Sequence, residues 1–440
     1  MLTSLALRVF ALSGLLFTAC SQAPSSAEAP GGGTNAGGAA GVVGSAASAA
    51  TASAGLADSG AGGADTDVLA PSATLLTEVR WKVLVESTDP NIFASAPAAA
   101  SREHDAAVAY VERTYQAEAA SEPPIARVVM QRFDATGERL GSLIELGSDP
   151  DSASGVTLAS DGKRYAACWN TAPMPTARTT FPAQVHCALF DEQGEVQPSS
   201  LALAGRSPTI VSTAQGWVVA YASTDTELRV QPLTAALAVG GTPVDLPLSS
   251  GLSYSKAGPL FASTPSGFAL VGARLEDGHD ALTRLDLDLQ PTAAIPLEHD
   301  FWFFGQLVAT DTRAAVSLSA PYGSYILLFD ETRVTAELPI AGGGKTGVDQ
   351  ALSLTEGGIA AAWLGPDLAV WLRFFADGQD EAVGLGGHGE EGSLLGSPVE
   401  GGDSYQQTLE VAGQTLLVAR GIRYGYLPNE AIRVAPLTSR

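Results

Sequence analysis

The residues best equipped for recognition chemistry form one stretch, EHDFWFFG, in which His299 and Asp300 are an adjacent ionisable pair and Phe301, Trp302, Phe303 and Phe304 follow without a break. Aromatic faces stack on sugar rings or anchor a peptide, while a neighbouring imidazole or carboxylate fixes orientation through hydrogen bonds. Tyr254, Tyr322, Tyr325 and Lys345 occupy nearby polar breaks and extend the same candidate set. A plainer reading competes with this one: two of the four consecutive aromatics simply begin a buried strand.

Other chemistry is thinly represented. The five histidines, at 104, 186, 279, 299 and 388, are scattered, with no HExxH pair. The acidic runs Asp277-Gly278-His279-Asp280 and Asp377-Gly378-Gln379-Asp380 lack the alternating oxygen ligands of calcium loops and read as turns. There is no GxSxG, no P-loop and no dinucleotide fingerprint, so no metal or cofactor is implied. The glycine-rich GGHGEEG from Gly386 carries negative charge, which argues against cradling a phosphate. The absence of a linear motif weighs against an enzyme without removing that class, and His299 with Asp300 is the one adjacent pair to watch.

Two cysteines, Cys168 and Cys187, fall on consecutive predicted strands that would be hairpin neighbours. In an exported chain the expected outcome is a cross-strand disulfide stapling a hairpin whose loop, Asn170 to Ala183, is long and rich in Pro and Thr; two free buried thiols are the alternative.

The chain has 440 residues, 45% hydrophobic and 16% charged, and 24 basic against 47 acidic residues give a net charge of −23. Such a surface repels phosphate backbones and anionic lipid, which excludes nucleic acid as the expected partner. The chain opens MLTSLALRVFALSGLLFTAC, where Arg8 precedes an apolar stretch from Val9 to Ala19 that is too short for a permanent span and suits export. Its end, Leu16-Phe17-Thr18-Ala19-Cys20, resembles the lipobox of bacterial lipoproteins, with Phe17 where that family usually has an aliphatic. The resemblance implies cleavage after residues 1–20 and acylation of Cys20. Gln22, in place of the Asp that retains such proteins at the inner membrane, points to the outer membrane, on its periplasmic or cell-surface side. Contact with the membrane would be through the lipid alone.

Residues 21–75 are Ala, Gly, Ser and Thr with almost no large apolar side chain, too little to offset ordering entropy, and are expected to form a disordered tether. As a flexible coil it would span roughly 40 Å.

Residues 76–440 are periodic. Apolar runs recur as AAVAY, YAACW, GWVVAY, GFALVG, AAVSL, GIAAAW and TLLVA at spacings of 45 to 59 residues, each followed by a second strand such as LRVQPL or QVHCALFD. A shorter strand precedes each run, and another follows each second strand, as VDLPLS does from Val244. Several second strands end in an aromatic and Asp with Gly three residues on, as in Phe133-Asp134 with Gly137 and Phe190-Asp191 with Gly194. Seven units of four strands resemble seven-bladed β-propellers in general, without the WD, kelch or quinoprotein signatures, and the uneven outer units also admit six or eight blades. The predicted fold is therefore all-β, with four-stranded antiparallel blades. The last unit stops after AIRVAPL, so TEVRWKVLVE at residues 77–86 is expected to complete it and close the ring.

In propellers, recognition usually lies on the face made by the loops between second and third strands and between blades. Here the second-to-third connections Glu112–Ala126 and Asn170–Ala183 are the longest of their type, and the connection into the fifth blade carries His299 to Phe304. The expectation is a monomeric, lipid-anchored binding or scaffolding module for an envelope protein or polysaccharide. Its rivals are a propeller hydrolase or lyase acting on an envelope polysaccharide and a structural lipoprotein without a small ligand.

Overall fold

Gly216–Ala222 is buried at every position, and its alternate residues pack in opposite directions. Trp217, Val219 and Tyr221 belong to one apolar cluster with Cys168, Val185 and Leu189 of the preceding unit. Val218, Ala220 and Ala222 belong to another, with Leu260, Phe268 and Leu270 of the following unit. A strand covered on both faces by neighbouring sheets needs an unbroken apolar run, with large side chains on one face and small ones on the other. Burial then falls away outward: the next strand, Glu227–Thr234, alternates, and the outermost, Val244–Pro247, has no fully buried residue.

The computed structural model describes residues 82–86, 92–94, 97–114, 125–149, 153–171, 183–191, 194–249, 258–297, 303–320, 323–340, 350–355, 358–364, 370–376, 383–384, 393–394, 404–412, 414–421 and 431–437. Among them the strands form seven antiparallel sheets, six of them meanders of consecutive strands running from inner to outer and the seventh taking its outermost strand from the other end of the chain. The predicted anchor runs are the second strands of these blades, from Ala106–Thr114 in the first to Gln414–Gly421 in the seventh. Two blades elaborate the four-stranded plan. In the first, Ile92–Ala94 and Ala98–Ser101 share the inner edge of Ala106–Thr114; in the sixth, Val383–Gly384 and Ser393–Leu394 share the outer edge of Val370–Ala376.

Inner strands touch their neighbours all round the ring, the seventh, Ser404–Val411, meeting the first, Ala98–Ser101. Each has one backbone edge turned from its own sheet, and side chains of adjacent blades supply partners for several of these groups. The Ile210 N–H donates to Thr157 Oγ1 at 3.4 Å, Thr209 Oγ1 donates to the Pro259 carbonyl at 2.7 Å, and the Leu352 N–H donates to Gln306 Oε1 at 2.6 Å. The ring is completed where expected: Lys82–Glu86 pairs antiparallel with Ala431–Leu437 as the outermost strand of the seventh blade.

The Phe-Asp…Gly motif marks the turn from third to fourth strand. Asp134 accepts the Gly137 N–H at 2.9 Å through its carbonyl, and its Oδ1 accepts the N–H groups of Thr136 and Glu138 at 2.8 and 3.0 Å. Gly137 and Gly194 stand at φ of 81° and 89°, the left-handed position that ends a three-residue hairpin loop. The third and fourth blades make the same turn with Leu237 and Leu289 at φ of 59° and 64°. A left-handed leucine costs about 1–2 kcal/mol, but both side chains are buried, and full burial of Leu contributes about 1.5–3 kcal/mol. Burial therefore holds leucine where the first two blades use glycine.

Candidate functional site

A meander of four strands puts its first-to-second and third-to-fourth turns at one end of the blade, and its second-to-third and inter-blade connections at the other. At the first end the connections are mostly tight: Thr213 to Gly216, Thr264 to Gly267, Phe190 to Val196 and Asp286 to Pro291. At the second end lie most of the long ones, bracketed by Thr114 and Ile125, Thr171 and Gln184, Pro247 and Leu260, Pro296 and Phe303, Ile340 and Gln350, and Gly421 and Ala431.

His299, Asp300 and Trp302 follow Pro291–Pro296 and precede Phe303–Ala309, and they lie outside the described residues, as do Tyr254, Tyr322 and Lys345. The strand ends that bracket all six belong to the end with the long connections, in the third to sixth blades. The plainer expectation for the aromatics holds for the backbone of two of them: Phe303 and Phe304 start the fifth inner strand, opposite Ser319 and Leu318. Tyr325 sits half-buried on the third strand of that blade. Cys20 and residues 21–75 lie outside the described residues. Of the two acidic runs, Asp277–Asp280 is a turn, with Asp277 Oδ1 accepting the His279 N–H at 3.1 Å, and Asp377–Asp380 lies outside the described residues.

At this same end, Cys168 and Cys187 face each other directly across the second hairpin and are disulfide-bonded, with Cα atoms 4.1 Å apart. Three pairs further out the hairpin ends at Thr171 and Gln184, so the bond pins the root of the connection at 172–183. Removing it with Cys168→Ala and Cys187→Ala should lower stability by about 3 kcal/mol, the chain-entropy value for a loop of this size. A urea titration of both proteins, with a midpoint shift under a third of that expectation, would refute the role as a staple.

Several charged groups described at this end are paired. Arg127 reaches the half-shielded Glu112 at 2.6 Å and Glu145 at 3.8 Å, Arg206 meets Asp225 at 3.1 Å, and Arg229 grips Asp245 with Nε and Nη2 at 2.6 and 2.8 Å. Burial raises Tyr110, and it also raises Tyr221 against the opposing pull of Arg229, so both phenols stay protonated as donors. Among the described residues no three His, Cys, Asp or Glu side chains gather to hold a metal.

The most elaborate polar cluster lies at the opposite end, in the seam between the first two blades, and no linear motif announced it. Asp105, 4% exposed, takes Arg102 Nε and Nη2 on its two oxygens at 2.6 and 2.7 Å, Arg132 Nε at 2.6 Å and the Tyr165 hydroxyl at 2.9 Å. Arg102 also donates to the Lys163 carbonyl at 2.7 Å and stacks 4.6 Å from the Tyr165 ring centre. Burial works against the charge on Asp105, but the hydrogen bonds from Arg102 and Arg132 outweigh it and hold the carboxyl below the ordinary range. Every oxygen is occupied, so the cluster fastens blades and offers nothing to a substrate. The usable sequence signal was an acidic residue directly before a strand whose first seven residues are buried.

Seven such sheets in a closed ring define a β-propeller. No protein-family model and no curated protein matches the chain. Among solved structures it is similar to the β-propeller domain of the Trilobed protease from Pyrococcus furiosus, described as having an open velcro topology, at 13% identity and a TM-score of 0.45 over 79% of this chain and 98% of that one. An acylaminoacyl peptidase follows at 12% identity and 0.44, over 79% of this chain and 52% of that one, of which the present chain thus spans about half. The hemagglutinin-neuraminidase ectodomain of parainfluenza virus 5 gives 8% identity and 0.42, over 81% and 84%. The fold assignment rests on the seven sheets and their closure; the activities of these proteins are theirs alone.

Proposed function

We propose that the chain is an envelope-anchored binding or scaffolding module, held by acylated Cys20 and the tether at 21–75, that presents one propeller face to a protein or glycan partner. The observation that carries this reading is the asymmetry of the two faces. One end is mostly tight turns, and its most elaborate polar cluster, around Asp105, is consumed in joining two blades. The other receives most of the long connections, including those that carry Trp302 and Tyr254, and a fixed scaffold with variable connections at one end is how folds acquire binding sites. The acidic surface keeps the domain soluble and steers it from nucleic acid.

The test compares three full-length proteins in detergent: wild type, Trp302→Ala, and Leu287→Ser, the last altering an exposed side chain on the tight-turn face. Each is assayed against an envelope glycan array and solubilised envelope proteins. A ligand bound by wild type and Leu287→Ser but at least about tenfold more weakly by Trp302→Ala, as loss of a central aromatic anchor predicts, supports the reading. Equal binding by all three, with unchanged melting, removes Trp302 and this face from it.

A further inference from the structure

Arg284 lies on the third strand of the fourth blade and is 8% exposed. Its Nη1 donates across the seam to the Thr310 carbonyl of the fifth blade at 2.9 Å. Its Nε and Nη2, which point the same way and form the side-on fork of a guanidinium, are buried and have no hydrogen-bond partner. Other arginines here use that fork fully: Arg102 on Asp105, Arg229 on Asp245 and Arg164 on Asp161. A desolvated guanidinium with two unpaired donors is costly, and a carboxylate is the partner whose shape fits it.

The first blade shows what is missing. Arg132 stands two residues before Asp134, as Arg284 stands two before Asp286, and it binds Asp105, the residue just ahead of the second strand. In the fourth blade that residue is Ser266, which instead donates its N–H and Oγ to Asp311 at 2.8 and 2.6 Å. Burial works against the charge on Arg284, and three carboxylates of the fifth blade, Glu331, Asp311 and Asp330, oppose that effect through space without offsetting it. Asp311 is engaged by Ser266. Asp330 accepts the Thr332 and Arg333 N–H groups at 2.7 and 2.8 Å and faces Arg333 at 3.6 Å. Glu331 is exposed at the tip of the turn and carries none of these bonds.

We propose that Glu331 and Arg284 form a two-position ionic latch across the seam of the fourth and fifth blades, open as seen here with Glu331 in water and closed when its carboxylate seats on Nε and Nη2. Closing relieves the unpaired fork and costs Glu331 its hydration and rotamer freedom, so the two positions are close in free energy. The latch ties the turn at Asp330–Arg333 to the strand Asp280–Asp286, and these two blades flank the connection that carries Trp302.

A double-mutant cycle on the full chain in detergent tests the pairing. Glu331→Gln should speed unfolding about twofold in the wild-type background, as loss of one of two positions close in free energy predicts, and leave the rate nearly unchanged when Arg284 is Met, since only coupled residues depart from additivity. Equal acceleration in both backgrounds, or none in either, overturns the latch. Should Arg284→Met not fold, nitrogen NMR of the Arg284 Nε–H serves instead. Its resonance should move on Glu331→Gln and on raising salt, and a resonance indifferent to both overturns the proposal.

Discussion

Deleting residues 82–86 should make the propeller aggregate and lose its cooperative melting. The strand they form is paired at Lys82↔Val434, Val83↔Arg433, Val85↔Ile432 and Glu86↔Ala431, with a bulge that sends Leu84 inward at 1% exposure. Leu84 packs with Val108, Tyr110 and Phe133 of the first blade and Val418 and Val434 of the seventh. The first blade also grips the strand from outside: Arg139 Nη2 donates to the Val83 carbonyl at 3.1 Å, and Lys82 meets Glu138 at 2.6 Å. The exposed ion pair adds little. Burial of Leu84 contributes about 2 kcal/mol, and the backbone bonds about 1 kcal/mol each. Their loss removes a large part of the roughly 5–15 kcal/mol that separates a folded domain from its unfolded chain. It also leaves Ala431–Leu437 as an open edge, free to pair with another molecule. Light scattering and a melting curve read the outcome, and a synthetic peptide of residues 77–90 should restore the monomer in trans. A deletion that stays monomeric and melts cooperatively at the wild-type midpoint would show that closure is supplied elsewhere.

The same packing explains what could be read from residues alone. Every second strand lies between two sheets, so each must be a run of small and large apolar residues, and seven such runs could be counted. The missing fourth strand of the last unit located its partner at the other end of the chain. What escaped reading depends on contacts with no fixed spacing. Asp105 draws its partners from Arg102, Arg132 and Tyr165, separated from it by 3, 27 and 60 residues. The repeated turn was visible where glycine fills the left-handed position and hidden where Leu237 and Leu289 do, because burial there overrides backbone preference. Of the aromatic stretch after Asp300, the backbone of Phe303 and Phe304 belongs to the fifth inner strand.

Asp105→Asn should cost about 3–5 kcal/mol at neutral pH, the usual penalty for removing one member of a buried ionic network and leaving its partners uncompensated. Asn keeps an acceptor for Tyr165, but its amide turns two donors toward Arg102 or Arg132, where donors already stand. The pH dependence distinguishes this cause from a simple packing defect. With its carboxyl held below the unfolded value of about 3.9, Asp105 binds a proton more readily in the unfolded chain. Its contribution is therefore fully present above that value and is lost as pH falls through the lower folded value. The gap between wild type and variant should be widest at pH 7 and shrink below about pH 4, with the wild type losing more stability on acidification. Urea midpoints at pH 7 and in the acid range, with a constant slope, measure both quantities. A gap that does not change with pH would assign the loss to shape, and one under about 1 kcal/mol at pH 7 would mean that the two arginines are adequately solvated without the carboxylate. In either case the Asp105 charge would no longer explain how the first two blades are joined.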